Sequence, residues 1–333
     1  MKALTLTAVK APLELLDRPP MTPAADEVVV RLKAAALNRR DYWITKGMYP
    51  GIEPPVVLGS DGAGVVSQTG SGMGNFWDGR EVIFNPGLDW GEAPRAQSAG
   101  FTIIGLPRDG TFASEVAVPA SQLHAKRDHL DWHQASALPL GGVTAWRALF
   151  TQGGLKPGET VLVTGIGGGV ATFALQFAVA AGADVWVTSS SPEKIARAIE
   201  LGAKGGFDYR SEDWAKQLSK EAAPDLIIDS AGGAGYRSLI NVAAAGGRIV
   251  NYGATAGAPE VDLFKVFWKQ LRLQGTTMGS PDDFAAMLKF VEEKKIVPIV
   301  DSVLPLEKGN KALERMASSP QFGKLVLEIE STS

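Results

Sequence analysis

The sequence predicts an α/β protein that combines a doubly wound parallel sheet with a second, β-rich part. From about Asp131 onward, short apolar strands alternate with helical segments, which is the pattern of a parallel sheet covered by helices. A glycine-rich turn follows the first well-defined strand of this series. Residues 1 to about 120 instead contain β-branched runs separated by Gly and Pro, which favours an antiparallel β-rich structure.

The β-rich part begins with two predicted strands, Lys2-Ala-Leu-Thr-Leu-Thr and Glu27-Val-Val-Val-Arg-Leu-Lys. Further strands are predicted within residues 56–66, 80–84 and 112–119, because β-formers cluster there between glycines and prolines. Residues 85–111 are rich in Gly and Pro, and we interpret them as a long loop or lobe.

The alternating part supplies six strands and the helices that separate them. The predicted strands are Thr160–Thr164, Asp184–Thr188, Gly206–Asp208, Asp225–Asp229, Gly247–Tyr252 and Leu271–Gly275. The predicted helices are Val170–Ala181, Pro192–Leu201, Ser211–Lys220, Tyr236–Ala244 and Asp262–Lys269. The segments after residue 280 are too few to form a core alone. We therefore expect one domain from residues 1–130 and 281–333, and an inserted domain from residues 131–280.

The glycine-rich turn has the geometry of a dinucleotide pyrophosphate site. A buried strand ends at Thr164, glycines allow a tight turn, and a helix then presents its N-terminal N–H groups to a phosphate. The strict G-x-G-x-x-G spacing is not met, because the sixth residue from Gly165 is Val170. A loop one residue longer, in which Ala171 replaces the last glycine, does fit. The structural alternative is an ordinary glycine turn of an α/β protein.

The end of the second strand indicates which nicotinamide cofactor binds. NAD-binding sheets usually carry an acid there, about 20 residues past the glycines, but this chain has Ser189-Ser190-Ser191. Serine hydroxyls accept a 2′-phosphate, and Lys194 and Tyr209 lie close enough in sequence to contribute. The alternative is that Ser191 only caps the next helix and Lys194 is solvated. We favour NADPH.

Composition excludes several classes of function. The chain has 333 residues, a net charge of −3 and no cysteine, so it lacks the basic character of a nucleic-acid binder and any disulfide or thiolate–metal site. Lys10 and Pro12 interrupt the N-terminal apolar stretch, and no apolar run reaches the ~20 residues of a membrane span. We expect a cytoplasmic protein that binds neither nucleic acid nor membrane.

Several sequence motifs together resemble one enzyme family. They are Ala36-Leu-Asn-Arg-Arg-Asp, Val57-Leu-Gly-Ser-Asp-Gly-Ala-Gly-Val-Val, Gly142-Val-Thr-Ala-Trp, the glycine loop, Asp225-Leu-Ile-Ile-Asp-Ser-Ala-Gly-Gly and Phe322-Gly-Lys-Leu-Val-Leu. Over nearly its whole length the chain resembles zinc-free members of the medium-chain dehydrogenase/reductase superfamily, and is similar to quinone oxidoreductases and enoyl reductases. The resemblance implies a GroES-like β-rich catalytic domain into which a Rossmann domain is inserted.

The zinc ligands of related alcohol dehydrogenases are absent here. The resemblance places Asn38, Ser60-Asp61 and Leu140 at the corresponding positions. The three histidines, His124, His129 and His133, are interpreted as surface residues. We therefore expect no metal.

The resemblance also implies which residues act. Hydride would pass from NADPH to a quinone or to the β-carbon of an enone. Tyr49 is the candidate oxyanion or proton donor, Asn38 orients substrate or nicotinamide ribose, and Asp41 supports them. Tyr49 could equally be a partly exposed aromatic of a loop. Asn38 could instead be the cap of the following helix. The cofactor contacts implied by motif are Thr144, Gly168, Gly169, Val170, Ser189, Lys194, Tyr209, Ser230, Gly253 and Lys324.

The leading functional hypothesis is an NADPH-dependent quinone or enone reductase. A 2-enoyl-thioester reductase is the first alternative, with Arg39 and Arg40 offering a basic entrance for the CoA phosphates. A weakly catalytic NADPH-binding sensor or structural protein is the second. The family also implies a homodimer that pairs through the edge strand Leu271–Gly275.

Overall fold

The computed structural model describes residues 1–329, which form two compact units. The first unit comprises Met1–Gly141 together with the chain from Ser280 onward, and the second comprises Gly142–Gly279. This division lies later than the boundary predicted after residue 130, because the helix at residues 132–137 packs within the first unit. Ala137 on that helix shares a buried cluster with Ala34, Ala36 and Val326.

The strands and helices are numbered in chain order. The strands are β1 (Lys2–Leu6), β2 (Glu14–Asp17), β3 (Glu27–Ala36), β4 (Val56–Val57), β5 (Asp61–Thr69), β6 (Glu81–Phe84), β7 (Gly87–Leu88), β8 (Thr102–Ile103), β9 (Glu115–Pro119), β10 (Leu123–Ala125), β11 (Thr160–Val163), β12 (Asp184–Ser189), β13 (Gly205–Asp208), β14 (Leu226–Asp229), β15 (Arg248–Asn251), β16 (Arg272–Gly275), β17 (Val300–Pro305) and β18 (Lys324–Glu328). The α-helices are α1 (Arg39–Thr45), α2 (Trp132–Ala137), α3 (Pro139–Trp146), α4 (Gly169–Ala180), α5 (Pro192–Glu200), α6 (Trp214–Glu221), α7 (Tyr236–Val242), α8 (Leu263–Trp268), α9 (Pro281–Glu293) and α10 (Gly309–Ser318). A π-helical turn, Arg147–Gln152, continues α3.

The first unit is built around a mixed sheet. Its strands follow the order β10-β6-β5-β3-β18-β17, and β9 also pairs with β3. Strand β18 pairs antiparallel with β3 and parallel with β17. The chain after residue 280 therefore adds two strands to the sheet that is formed by the N-terminal segment. The smaller sheets are β2-β1-β4 and β7-β8, the latter within the segment predicted as a loop. Leu32, Phe84 and Phe112 are fully buried in the core.

The second unit contains the predicted six-stranded parallel sheet. The strand order is β13-β12-β11-β14-β15-β16, and all five pairings are parallel. Val161, Leu162 and Val163 of β11 are completely buried, as expected for a central strand covered by helices on both faces. The chain runs outward from β11 in one direction through β12 and in the other through β14. The doubly wound fold predicted from the alternating pattern is confirmed.

None of the helices between residues 1 and 329 combines the length and the apolar character needed to cross a bilayer.

Candidate functional site

The glycine-rich turn of the second unit forms an open loop at the start of α4. Gly165 and Gly167 have φ angles of +61° and +124°, a region that side chains with a Cβ rarely adopt. A Cβ added at Gly165 or Gly168 would meet no atom within 4 Å, so a ligand can approach the backbone closely. Gly168 is the N-cap of α4, and it has no side chain to bind the N–H groups of the first turn, which includes Gly169 and Val170. These N–H groups and the positive end of the helix dipole are suited to a phosphate.

The carboxyl ends of the central strands are joined by a hydrogen-bond network that the sequence analysis missed. Thr164 donates its hydroxyl to Asp229 Oδ1 at 2.6 Å. Asp229 Oδ2 accepts bonds from the Gly232 N–H at 2.9 Å and from Asn251 Nδ2 at 3.0 Å. Tyr236 then donates to Asn251 Oδ1 at 2.7 Å. These hydrogen bonds form a polar network at the point where the strand order reverses, which is the usual ligand position of such sheets.

Ser189 is the last residue of β12, as the cofactor argument requires. Its side chain is buried, and its Oγ accepts the Ser191 N–H at 3.1 Å. In the parallel register, Ser189 lies opposite Asp208 of β13. The Asp208 carboxylate is held by two nitrogens of Arg210, Nε and NH2, which lowers the pKa of Asp208 through hydrogen bonding. The acid beside Ser189 is thus paired with the guanidinium of Arg210, which is 62% exposed.

The remaining predicted cofactor residues of this unit occupy several positions around the sheet. Lys194 lies in the first turn of α5, where its N–H is capped by Ser191 Oγ, and Tyr209 is half exposed just after β13. Ser230 follows β14 and Gly253 lies shortly after β15, and a Cβ at Gly253 would lie 3.2 Å from the Ser230 carbonyl oxygen. The buried Thr144 belongs to α3.

A second polar cluster lies in the first unit, where three strands meet. Ala36, the last residue of β3, pairs with Asp61 of β5 on one side and with Val326 of β18 on the other. This register brings Asn38, Asp61 and Lys324 together. Lys324 Nζ donates to Asn38 Oδ1 at 2.6 Å and to Asp61 Oδ2 at 2.9 Å.

The rest of this cluster is fixed by further bonds from the same groups. Asn38 Nδ2 donates to Asp61 Oδ2 at 2.9 Å, and the Leu140 N–H donates to Asp61 Oδ1 at 2.8 Å. Lys324 is only 4% exposed and Asp61 is fully buried, so the ion pair is shielded from water. The ammonium predicted to contact the cofactor is therefore held by Asn38 and Asp61 inside the first unit.

Asn38 also begins helix α1, and Asp41 completes its capping box. The Asn38 N–H donates to Asp41 Oδ2 at 2.7 Å, while the Asp41 N–H, at the third helical residue, donates to the Asn38 carbonyl oxygen at 3.0 Å. Burial raises the pKa of Asp41 to about 6, against the opposing influence of Arg40 and Lys324. Asp41 Oδ1 is buried and has no hydrogen-bond partner within residues 1–329. Asp41 can therefore hold a proton close to neutral pH.

The arginines of α1, considered as a basic entrance for CoA phosphates, are both hydrogen-bonded within the first unit. Arg40 is 8% exposed, and its NH1 donates to Ser60 Oγ at 2.7 Å and to the Ile104 carbonyl at 3.0 Å. Its guanidinium lies 5.1 Å from the ring centre of Tyr49, which is half-buried. Arg39 donates to the Met316 carbonyl and to Ser319 Oγ. The bond from Arg40 to the Ile104 carbonyl anchors the segment of residues 85–111 to α1.

These residues do not fit a catalytic zinc ion. Leu140 offers only its backbone N–H, Ser60 Oγ accepts from Arg40, and Lys324 places an ammonium between Asn38 and Asp61. Among residues 1–329, no group of three or more His, Cys, Asp or Glu side chains is arranged to hold a metal ion.

The three histidines have separate structural partners. His124 packs against Phe284 with the two rings tilted by 45°, His129 hydrogen-bonds the Ile296 carbonyl and His133 lies 3.4 Å from Glu328.

Two protein families match this chain. The alcohol dehydrogenase GroES-like domain family matches residues 24–128, and the zinc-binding dehydrogenase family matches residues 169–293. A zinc-type alcohol dehydrogenase-like protein of Leptosphaeria maculans is 37% identical over 339 residues, which cover 95% of this chain and 94% of that protein.

Solved structures show the same architecture. The crystal structure of an NAD-dependent alcohol dehydrogenase superposes with a TM-score of 0.94 at 37% identity, covering 99% of this chain and 100% of the other. The structure of a 2-octenoyl-CoA carboxylase reductase with NADP and 2-octenoyl-CoA gives a TM-score of 0.90 at 25% identity, covering 100% and 88%.

Proposed function

Because the chain belongs to the medium-chain dehydrogenase/reductase superfamily, we propose that it is a zinc-independent, NADPH-dependent reductase of quinones or α,β-unsaturated carbonyl compounds. One observation carries the proposal: the Lys324 ammonium lies between Asn38 and Asp61, two of the positions equated with the family's zinc ligands. A site built in this way has fixed cations and hydrogen-bond donors instead of a Lewis acid.

That site favours acceptors whose reduction does not require ionisation of an alcohol. Without a metal, lowering the pKa of an alcohol to near neutrality is difficult. Hydride addition to a quinone or an enone instead produces a delocalised anion, which hydrogen-bond donors stabilise. Asn38 supplies an oriented amide, Tyr49 a phenol whose ring lies against Arg40, and Asp41 a buried carboxyl with a pKa of about 6.

NADPH is the proposed hydride donor, and the end of β12 supports that choice. Ser189 takes the place of the acid that would repel a 2′-phosphate, and the neighbouring Asp208 is neutralised by Arg210. When bound, NADPH supplies a hydride from its nicotinamide ring. The open backbone at Gly165 and Gly168 is the proposed pyrophosphate site. The related structures are described with NAD in one case and NADP in another.

Reduction of 2-enoyl thioesters is the second candidate. It is favoured by the likeness to the reductase that was solved with NADP and 2-octenoyl-CoA. Against it, both arginines of α1 are bound by the protein itself. The third candidate, an NADPH-binding sensor, needs only the second unit's loop and Ser189.

One set of assays separates these functions. NADPH consumption is followed with a quinone, an alkenal and a crotonyl thioester, while NADPH affinity is measured independently by fluorescence. Turnover of the quinone or alkenal well above the thioester supports the proposal. Preferred turnover of the thioester supports the second candidate, and tight NADPH binding with no turnover supports the sensor.

We also propose a homodimer formed through the second unit. Strand β16 is the edge of the sheet, and all of its residues are exposed. Helix α8, which precedes β16 in the chain, exposes three aromatics, Phe264, Phe267 and Trp268, by 64%, 61% and 73%; Phe264 stacks on Trp268 and meets Phe267 edge to face. An open strand edge next to an aromatic face is suited to pairing with the same surface of a second copy.

A further inference from the structure

We infer that the Arg40 guanidinium binds the oxyanion that develops on the reduced substrate. The inference rests on the proposed reductase function for the identity of that oxyanion. It adds a catalytic residue that the motifs did not indicate, because Arg40 was considered there only as a surface charge for CoA.

The state of Arg40 in the folded protein is unusual for an arginine. Its side chain is 92% buried, yet it forms no salt bridge with any carboxylate among residues 1–329. Only NH1 is used for hydrogen bonding, by Ser60 Oγ and the Ile104 carbonyl. Nε is buried without a partner in the described chain. A desolvated cation with unused N–H groups is costly unless an anion completes its coordination.

The Asp41 carboxyl interacts with the charge of Arg40 but forms no hydrogen bond with its guanidinium. Asp41 directs Oδ2 to the Asn38 N–H, and its Oδ1 has no partner in the described residues. Asp61 is bound by Lys324, Asn38 and the Leu140 N–H. Both carboxylates are therefore bound by other groups, and neither is hydrogen-bonded to the Arg40 guanidinium, whose Nε is enclosed without a partner in the described residues.

The position of Arg40 links it to the candidate catalytic groups. Ser60, its hydrogen-bond acceptor, directly precedes Asp61, and Tyr49 lies against the guanidinium at 5.1 Å from the ring centre. Both contacts orient the guanidinium, so its N–H groups are fixed before substrate arrives. Donors that need no reorganisation stabilise a developing oxyanion most effectively.

The chemistry of the step requires such a donor. The hydride from NADPH brings the two electrons of a new C–H bond at the β-carbon of an enone, which leaves NADP⁺. The C=C electron pair moves between the α-carbon and the carbonyl carbon, and the carbonyl pair moves onto oxygen to give an enolate. Arg40 holds that negative charge until the α-carbon takes a proton from water. In a quinone, the corresponding charge lies on a phenolate oxygen.

Para-nitrophenol tests the inference without turnover, because its ionised form mimics the oxyanion and absorbs visible light. We expect the wild-type protein to bind the phenolate and to lower the pKa of the bound phenol by about one unit or more. Arg40→Gln should abolish that shift and weaken phenolate binding at least tenfold. Arg31→Gln, which removes an exposed arginine of strand β3, is the matched control and should change neither quantity.

Kinetics provide the second measurement. Arg40→Gln should lower kcat/KM for the accepted enone or quinone by about 100- to 1000-fold, with NADPH affinity unchanged. Arg40→Lys should retain the charge and recover part of the phenol shift, which a purely structural anchor would not produce. If Arg40→Gln instead disrupts folding, Arg40→Lys and Ser60→Ala carry the test, since both retain a cation and alter its orientation.

The outcomes distinguish this inference from the proposed function. The role of Arg40 would be overturned if Arg40→Gln showed normal turnover and lowered the pKa of the bound phenol as much as wild type does. It would also be overturned if the wild-type protein bound no phenolate. An Arg40-dependent phenol shift without turnover of any quinone or enone would retain the oxyanion site and reject the proposed substrates.

Discussion

The Lys324 ammonium is bound by the side-chain oxygen of Asn38 at 2.6 Å, although the two residues are 286 positions apart in sequence. Strand β3 makes this contact possible, because its last residue, Ala36, pairs with both β5 and β18. Asp61 on β5 accepts from the same ammonium at 2.9 Å. The cluster therefore joins the beginning and the end of the first unit around one buried charge.

Removing that charge should strongly destabilise the first unit. Lys324→Met leaves the buried Asp61 without its counter-ion, for which we expect a loss of about 3–5 kcal/mol in the free energy of unfolding. Urea denaturation measures the loss, and Lys311→Met on the exposed face of α10 is the control. Adding Asp61→Asn to Lys324→Met should restore part of the stability. A loss below about 1 kcal/mol would mean that water reaches the pair.

The buried Asp41 carboxyl predicts a pH dependence of stability. Its folded pKa of about 6 lies above the ordinary value of 3.8, so the folded state binds more protons than the unfolded state between these values. Its stabilising contribution is complete below about pH 4 and is lost as the pH rises through about 6, an effect of about 3 kcal/mol. Asp41→Asn retains the oxygen that accepts the Asn38 N–H.

Urea denaturation from pH 4 to pH 7 measures this effect as the difference between wild type and Asp41→Asn. The stability of the variant relative to wild type should increase with pH over that window. If the unfolding free energies of wild type and Asp41→Asn changed in parallel with pH, Asp41 would have an ordinary pKa in the folded protein.

Ser189 should control cofactor preference. Ser189→Asp places a carboxylate at the end of β12, which repels a 2′-phosphate and can bind a ribose hydroxyl. We expect the ratio of kcat/KM for NADPH to that for NADH to fall at least tenfold. Ser219→Asp on α6 adds the same charge at an exposed position and should leave the ratio unchanged. An unaltered ratio in Ser189→Asp would remove the argument for NADPH.

Tyr49 should contribute through its hydroxyl. Tyr49→Phe keeps the ring against Arg40 and removes only the O–H, so kcat for the accepted quinone or enone should fall about 10- to 100-fold. Tyr42→Phe on α1 is the matched control, because it removes a hydroxyl from another half-buried tyrosine. Equal effects of the two substitutions would assign Tyr49 to packing alone.

The exposed aromatic face of α8 should determine the oligomeric state. Trp268→Glu introduces a charge within the proposed dimer surface, and size-exclusion chromatography with light scattering should then give the monomer mass. Phe76→Glu alters a similarly exposed aromatic of the first unit and should leave a dimer. A monomeric wild-type protein would contradict the proposed interface.

The alternating pattern of the second half predicted its fold closely because local signals agreed with the tertiary structure. Each predicted strand of the second unit is present, and the helix predicted over Val170–Ala181 is α4 at Gly169–Ala180. Helix α6 starts at Trp214, three residues after the predicted Ser211, because Ser211 and Asp213 form a turn before it. Glycine positions and strand periodicity are short-range properties, so a single sequence reveals them.

The sequence by itself determined the alternation of strands and helices, the open glycine loop and the serine where an acid is usual. Its composition showed that cysteine is absent, and its resemblance to the family indicated that Asn38, Ser60-Asp61 and Leu140 stand at the positions of the zinc ligands. Only the tertiary structure decided that Lys324 is bound to Asn38 and Asp61, and that Arg40 is buried beside Tyr49. Those contacts depend on the pairing of strands distant in sequence, and no local pattern records which strands become neighbours.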